Sequence, residues 1–371
     1  MRVQLVDPSA FTPPYDRALA AALARAGAEV ELLTSRFLHG PVPAAAGYRV
    51  EELFYRRSAS RGLDARARLP FKAAEHLPDM LRLRRAVDAD VVHYQWLTAP
   101  PLDVHLLPKL RPRALTAHYI LPPAPSRRQV ARARRVFAAM DAVVAHSEHS
   151  ATRLRDEVGL DPARVRVIPH GAFDYLTRLP AEKPLPPELE GAEGPVILCF
   201  GLLRPYKGIE NLLEAFREVE GAELWIVGNP RMDVAPLRAL AASAPGRVRF
   251  VTRFVDEAEI PAIFRRADLV VLPHLEAEHS GVLYTGLAFG RPLLLSAVGG
   301  FPEVAASGAA RLVPPGDTPA LAAALAELAA DGPARAELGE AARAAAAGPF
   351  SWDEAARLTL GLYGELIEAR Q

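Results

Sequence analysis

The sequence predicts an α/β protein built from two doubly wound domains, each a parallel sheet with helices on both faces. Three observations predict it. The chain has 371 residues, more than one ordinary hydrophobic core accommodates. Short apolar runs alternate with amphipathic segments along its whole length, the pattern of parallel strands joined by crossover helices. The alternation breaks once, at the polar, Pro-rich stretch 173–194, which lacks periodicity and reads as a linker. The expected organisation is a first domain over 1–172, the linker 173–194, a second domain over 195–350 and a closing helix over 351–371.

In the first half, residues 3–6, 30–33, 91–93, 114–117, 142–145 and 165–168 read as strands. Helical segments lie between them, notably 15–26, with Gly27 placed to end it. Beyond the linker the strands are 196–200, 224–227, 248–251, 269–272, 292–295 and 310–313, with helices at 209–219 and 257–267. The Ala-rich run 319–347 is a strong helix former interrupted at Gly332-Pro333. Residues 352–369 form an amphipathic helix with Ala356, Leu362 and Tyr363 available for packing. Two doubly wound domains place ligands at the carboxyl edges of their strands, so a cleft between those edges is expected.

Half of the residues are apolar and mean hydropathy is slightly positive, which excludes a disordered chain. A single cysteine, Cys199, excludes an internal disulfide and a cysteine-based zinc site. The start, MRVQLVDPSA, reads as a strand entering a turn rather than a secretory leader, and a cytoplasmic location is expected. Net charge is zero but unevenly spread: through Ala172 there are 26 Lys and Arg against 17 Asp and Glu, a net of +9 that the remainder balances. Two basic runs stand out. Arg56, Arg57, Arg61, Arg66, Arg68 and Lys72 are opposed only by Asp64, and Arg127, Arg128, Arg132, Arg134 and Arg135 share one helical segment. Either these are solvated faces, or the first domain meets an anionic membrane peripherally. No nucleic-acid partner is expected.

The stretch from Leu272 to Val304 carries the clearest chemistry. An apolar strand ends at Pro273, a loop carries Glu276 and Glu278, and Ser280-Gly281 opens a helix that stops at Gly290. The free N–H groups and positive dipole end of such a helix suit a phosphate, and the carboxylates suit sugar hydroxyls beside it. The second domain opens with FGLLRPYKG, where Arg204 and Lys207 stand between a strand end and a helix start. A planar fork and a movable ammonium together suit a diphosphate.

Here a resemblance becomes specific. FGLLRPYKGIENLLEAF, LWIVGNP, VRFVTRFVDEAEIPAIFRRADLVVLP and HSGVLYTGLAFGRPLLLSAVGGFPEV resemble the donor domain of retaining GT-B glycosyltransferases of family 4. LTSRF, DVVHYQWL, LTAHYILPP, AVVAHSEHSATRL and VRVIPHGAF resemble that family's acceptor domain, and FSWDEAARLTLGLYGEL its closing helix, which crosses back to the first domain. The resemblance implies two Rossmann-like domains facing each other across a cleft, and a nucleotide-sugar (UDP- or GDP-sugar) donor. It implies transfer with retention to a lipid-linked or glycan acceptor.

Carried over residue by residue, the resemblance gives Lys207 and, from a shifted position, Arg204 to the donor diphosphate, with the backbone around Ser280, Gly281 and Val282. Gly228, Asn229 and Val255 border the nucleoside. The family's two glutamates fall on Ala277 and Thr285, so Thr285 offers a ribose only a hydroxyl, and Glu276 or Glu278 is left to reach the sugar. His118, after a strand and before the turn YILPP, would contact the donor sugar in the resemblance; without it, a buried histidine bonded to backbone is the simpler reading. Asp16 is either a helix N-cap or an acceptor-side group, and His93 is a second acceptor-side candidate. No metal-ligand spacing such as HExxH occurs, and neither metal nor cofactor is expected. A nucleotide-sugar epimerase and a non-catalytic nucleotide-sugar or glycan binder are the alternative readings.

Overall fold

The computed structural model describes residues 1–38, 40, 42–60, 62, 65–108 and 112–370, with the side chains of 60 and 65 left aside. Of the basic run, Arg61 and Asp64 lie outside the described residues. The chain divides into two compact units, Met1–Gly171 with Trp352–Gln371, and Ala172–Ser351.

The first unit holds a seven-stranded sheet: β1 (Arg2–Asp7), β2 (Glu29–Ser35), β3 (Arg49–Phe54), β4 (Val91–Tyr94), β5 (Arg113–Thr116), β6 (Ala142–Ala145) and β7 (Val165–Val167), in the order β3-β2-β1-β4-β5-β6-β7. All pairings are parallel, Val3 opposing Val30 on one side and Val91 on the other. The four-residue strands β4 and β6 are buried throughout, as a sheet covered on both faces requires. β3 is the one strand absent from the sequence expectation. Its RVEELF pattern buries only Leu53 and Phe54, because it is the edge strand.

Helix Pro13–Arg25 starts earlier than its apolar pattern suggests. Thr12 is its N-cap residue, and Pro13 and Pro14 fill the first turn, where a missing N–H costs nothing. The closing helix, Trp352–Glu368, belongs to this unit and lies along Pro13–Arg25. Gly171 admits it: a Cβ there would lie 2.3 Å from Cδ2 of Trp352.

The second unit holds β8 (Val196–Phe200), β9 (Glu223–Val227), β10 (Val248–Val251), β11 (Leu269–Leu272), β12 (Leu293–Ser296) and β13 (Ala310–Val313), in the parallel order β10-β9-β8-β11-β12-β13. Its Ala-rich run forms helices Thr318–Ala330 and Gly332–Ala347, capped by Asp317 and Asp331, whose side chains accept the amides of Ala320 and Ala334. Residues 173–194 are not a free linker. Leu176 and Leu189 are buried, and Arg249, ion-paired to Glu223 at 2.6 Å, donates to the carbonyls of Glu188, Glu190 and Gly191. The stretch lacks periodicity because arginines hold its backbone through single carbonyls.

Candidate functional site

The residues that the resemblance gives to the donor gather at the carboxyl edge of the second sheet. β8 runs out at Gly201, whose φ of +108° suits only glycine and whose amide donates to the Val227 carbonyl at 2.9 Å. The turn that follows brings Lys207 back over the strand end. Its ammonium donates to the Phe200 carbonyl at 3.3 Å, and the residue is only 6% exposed. Among the described residues no carboxylate pairs with it. Burial, with the like charge of Arg204, holds the Lys207 pKa below the usual lysine range. Arg204 itself is exposed, and among the described residues it too has no carboxylate partner. Two adjacent cations without a counter-ion make a site that favours an anion.

That site includes the start of helix Gly281–Ala288. A Cβ on Gly201 would lie 2.9 Å from Nζ of Lys207 and 3.1 Å from Cγ2 of Val282, so ammonium and first turn share one corner. Ser280 occupies the N-cap position in extended conformation but its side chain caps nothing, which leaves the first amides to solvent or a ligand. Gly228 and Asn229 lie alongside: the Asn229 carbonyl accepts from Leu203 at 3.1 Å, and a Cβ on Gly228 would collide with the Gly201 carbonyl oxygen. Val255 is buried in the loop after β10.

Thr285 is buried, and its hydroxyl donates to the Gly281 carbonyl at 2.9 Å, one turn back along its own helix. It therefore keeps only acceptor capacity toward a ribose, which narrows the expectation of a freely offered hydroxyl. The acidic loop is pinned by its backbone. The Gly300 amide donates to the Glu278 carbonyl at 3.1 Å, and only a glycine at 299 clears the Ala277 carbonyl. Glu276 is exposed and Glu278 half-buried.

One residue of this edge escapes sequence reasoning. His274, directly after Pro273, is 3% exposed and packs against Phe301 and Tyr206, with ring centroids 5.4 and 6.0 Å away. Burial, reinforced by the Lys207 charge, pushes its pKa down to about 3, so the ring is neutral. Its Nδ1 has no hydrogen-bond partner among the described residues. The only sequence signal is its place at the end of an apolar strand. Cys199, by contrast, is a buried bystander whose thiol is pushed up to about 11.

In the first unit His118 follows β5. It stacks on Trp96 at 5.1 Å, meets the Tyr15 ring edge-on at 4.8 Å, and places Nε2 3.3 Å from Oε1 of Gln95. His93 is corrected. It is 1% exposed, Nδ1 bonds Tyr363 Oη at 2.6 Å and Nε2 bonds Thr116 Oγ1 at 2.8 Å, so no ring nitrogen is left for an acceptor. It is a core histidine, held neutral by burial at a pKa of about 3.

Asp16 is corrected as an N-cap. It lies inside the first turn of Pro13–Arg25, fully buried, and its carboxyl bonds that of Asp7. Asp7 accepts the amides of Ser9, Phe11 and Thr12 at 3.2, 2.6 and 3.1 Å. Burial, then the charge of Asp7, holds the Asp16 carboxyl well above its ordinary range, and burial raises Asp7 as well.

Comparison with known proteins follows the two units. Residues 17–172 match the family model described as Glycosyltransferase Family 4, and residues 194–331 the model described as Glycosyl transferases group 1. The chain is 30% identical to a D-inositol 3-phosphate glycosyltransferase of Xylanimonas cellulosilytica, over 96% of this chain and 92% of that protein. It is 32% identical to a GDP-mannose:glycolipid 4-beta-D-mannosyltransferase of Xanthomonas campestris pv. campestris, over 38% of this chain and 40% of that one. Among solved structures, the sucrose-phosphate synthase of Thermosynechococcus elongatus superposes with a TM-score of 0.75 at 20% identity, covering all of both chains. HepE of Anabaena, solved with UDP and glucose, gives 0.73 at 19% identity over 99% of this chain and all of that one.

Proposed function

The chain belongs to the family 4 glycosyltransferases of GT-B fold, and on that premise we propose that it transfers a sugar, with retention, from a UDP- or GDP-sugar to a lipid-linked or glycan acceptor. The observation that carries the donor side is Lys207: a buried ammonium that has no carboxylate partner among the described residues, at the uncapped start of Gly281–Ala288. HepE, similar in fold, was solved with UDP-glucose, and the mannosyltransferase relative is named for GDP-mannose, so both nucleotides enter the test.

In the proposed reaction the bond between the anomeric carbon and the diphosphate oxygen breaks, and the acceptor hydroxyl oxygen bonds that carbon from the same face. The hydroxyl proton passes to the departing diphosphate. Lys207, Arg204 and the amides around Ser280, Gly281 and Val282 would take up the charge that develops on the leaving group, with no metal ion in the scheme. Glu276 or Glu278 would hold sugar hydroxyls, and Gly228, Asn229, Val255 and the Thr285 hydroxyl oxygen would border the nucleoside. His118 is the first unit's proposed contribution to the transfer step. The net positive first unit suits an acceptor delivered at an anionic membrane face.

A second reading, nucleotide-sugar binding without turnover, draws on Ala277 and Thr285, which leave the family's two carboxylate positions without a carboxylate. Calorimetry with UDP and GDP, followed by proton NMR of slow donor hydrolysis, tests both. Binding with release of an α-configured sugar supports retaining transfer, binding alone supports the second reading, and absence of binding to either nucleotide overturns the donor assignment.

A further inference from the structure

At the carboxyl edge of the first sheet a hydrogen-bonded chain runs from a buried carboxylate to an ammonium. Asp103, fully buried on helix Pro100–Leu106, accepts the Ala99 amide at 2.8 Å with one oxygen and Nε2–H of His76 at 2.6 Å with the other. A carboxylate only accepts, so Nδ1 of His76 is left to accept the Tyr55 phenol, 2.7 Å away. The phenol also meets the hydroxyls of Thr98 and Ser9, which bond each other at 2.7 Å. Lys72 closes the chain, its Nζ donating to Ser9 Oγ at 2.8 Å.

The backbone is arranged around this chain. Tyr55 stands immediately after β3 with φ of +53°, a left-handed conformation that a bulky side chain rarely adopts. Asp79 holds it there by accepting the Tyr55 amide at 2.7 Å, and Ser58 Oγ donates to its carbonyl at 3.2 Å. Ser9 follows β1 and Thr98 follows β4, the adjacent strands between which the strand order reverses direction. Open α/β sheets take ligands at the carboxyl edge of such a reversal.

Lys72 is half-buried, and among the described residues no carboxylate pairs with it. The Asp7 carboxyl favours its charge but is engaged by the amides of Ser9, Phe11 and Thr12. Burial, then the like charge of Arg68, holds the Lys72 pKa below the usual lysine range. Its ammonium lies 4.6 Å from the Tyr55 ring centroid and 5.6 Å from that of Phe11. Phe11 is 53% exposed and yet fixed, with its amide on Asp7 and its ring edge-on to Trp96 at 5.3 Å.

We propose that this corner binds the anionic group of a sugar, a carboxylate or a phosphate ester, on Lys72 and the Ser9 and Thr98 hydroxyls, while the apolar face of the sugar ring lies against Phe11. One of the three N–H donors of Lys72 goes to Ser9, and the rest are available to an anion. A neutral sugar would leave the half-buried ammonium short of a counter-charge, and a bare anion would leave Phe11 uncovered. A single ammonium between hydroxyls, without the planar fork of an arginine, takes an oxygen of either anion. Tyr55, His76 and Asp103 are positioning residues that fix the two hydroxyls beside the ammonium. That this sugar is part of the acceptor rests on the transferase reading. Lys72, Phe11, Trp96 and His118 form one succession of contacts, which leads from the anion to the residue proposed for the transfer step.

The test is calorimetry of the full chain with glucuronate, glucose 6-phosphate, glucose and inorganic phosphate. At least one anionic sugar should bind about ten-fold or more tightly than glucose, the scale of one charge-assisted hydrogen bond, and the tighter of the two identifies the charged group. Lys72→Met should erase that preference. Tyr55→Phe, which keeps the ring but cuts the chain at His76, should reduce the preference about five-fold and leave glucose affinity unchanged. Phe11→Ala should weaken charged and neutral sugars alike. Anionic sugars no tighter than glucose, inorganic phosphate as tight as glucose 6-phosphate, or a preference that survives Lys72→Met would each overturn the proposal. So would a preference lost in Lys207→Met instead, which would put the anion at the donor corner. A preference kept in Lys207→Met while neither UDP nor GDP binds the wild type would remove the donor assignment and leave this site standing.

Discussion

A Cβ on Gly201 would lie 2.9 Å from Nζ of Lys207, so the glycine and the ammonium define one another's place. The strand end must be bare for the lysine to fold back over it, and the lysine is then held away from water. A buried ammonium with one carbonyl partner costs stability in the empty protein and gains it when an anion arrives. Lys207→Met should therefore raise the melting temperature of the unliganded protein, or leave it unchanged. The same change should weaken nucleoside-diphosphate binding about ten- to a hundred-fold, the range for one charge-assisted hydrogen bond. Calorimetry paired with thermal melts checks both halves; unchanged affinity would remove Lys207 from the diphosphate site. Gly201→Ala should mimic the affinity loss with a lower melting temperature, since φ of +108° strains any side chain.

His118 presents a separable expectation. Its ring is held between Trp96 and Tyr15 and near Gln95, inside the first unit, whereas the cations belong to the second. His118→Ala should lower the transfer rate about a hundred-fold or more while nucleotide affinity stays within two-fold or so, the pattern of a group acting on the reacting sugar rather than on the diphosphate. Steady-state rates alongside calorimetry decide it. A parallel loss of affinity would assign the residue to nucleotide binding instead.

The parts of the fold that were legible in the sequence are those where burial is two-sided. β6 and β11 are continuous apolar runs, and β4 and β12 are each interrupted by one polar residue, His93 and Ser296, because both faces are covered; such runs announce themselves. β3 does not, since an edge strand with one wet face mixes Arg and Glu among its apolar residues. The corner where Gly201, Lys207 and the start of Gly281–Ala288 meet was equally legible in its placement, because glycines and a cation stand between a strand end and a helix start. What the sequence hid depends on three-dimensional partners. Asp16 looks like a cap until Thr12, Pro13 and Pro14 are seen to start the helix, and His93 looks accessible until Tyr363, 270 positions later, takes its Nδ1. His274 has no motif at all; its isolation beside Lys207 is a product of packing.

Two of these histidines give the protein an acid-labile character. His93 and His274 are each held at a pKa of about 3 by burial, against an ordinary 6.5. Below pH 6.5 the unfolded chain takes up protons that the folded chain refuses, so stability is full above that pH and falls as pH drops toward 3. The slope is at most about 1.4 kcal/mol per pH unit for each histidine. Chemical denaturation between pH 7.5 and pH 4 should show this decline, as conditions chosen to span the window. His274→Phe, which keeps a ring between Tyr206 and Phe301, should flatten it by one histidine's share. An unchanged slope in that variant would place the titration elsewhere.

Asp16 acts in the opposite sense. Its folded pKa lies well above the unfolded value, so the proton it holds against Asp7 contributes stability fully below the ordinary aspartate range, and that contribution is lost as pH rises through the folded pKa. The pair organises the turn after β1, because the same Asp7 carboxylate collects the amides of Ser9, Phe11 and Thr12, and Trp96 Nε1 reaches the Thr12 hydroxyl at 2.9 Å. Asp16→Asn supplies the donor permanently, as an amide N–H toward Asp7, with no proton to recruit. It should raise the melting temperature at neutral pH by about 2 °C or more, and the gain should vanish at pH 4, where the wild-type pair is already protonated. Asp16→Ala should do the reverse, leaving Asp7 charged, buried and short of a donor, with a loss of about 2 kcal/mol or more. Melting curves of the three proteins across pH check the sign directly: an Asn variant less stable than wild type at neutral pH would mean that both carboxyls are ionised there, and that the turn is held by the amides alone.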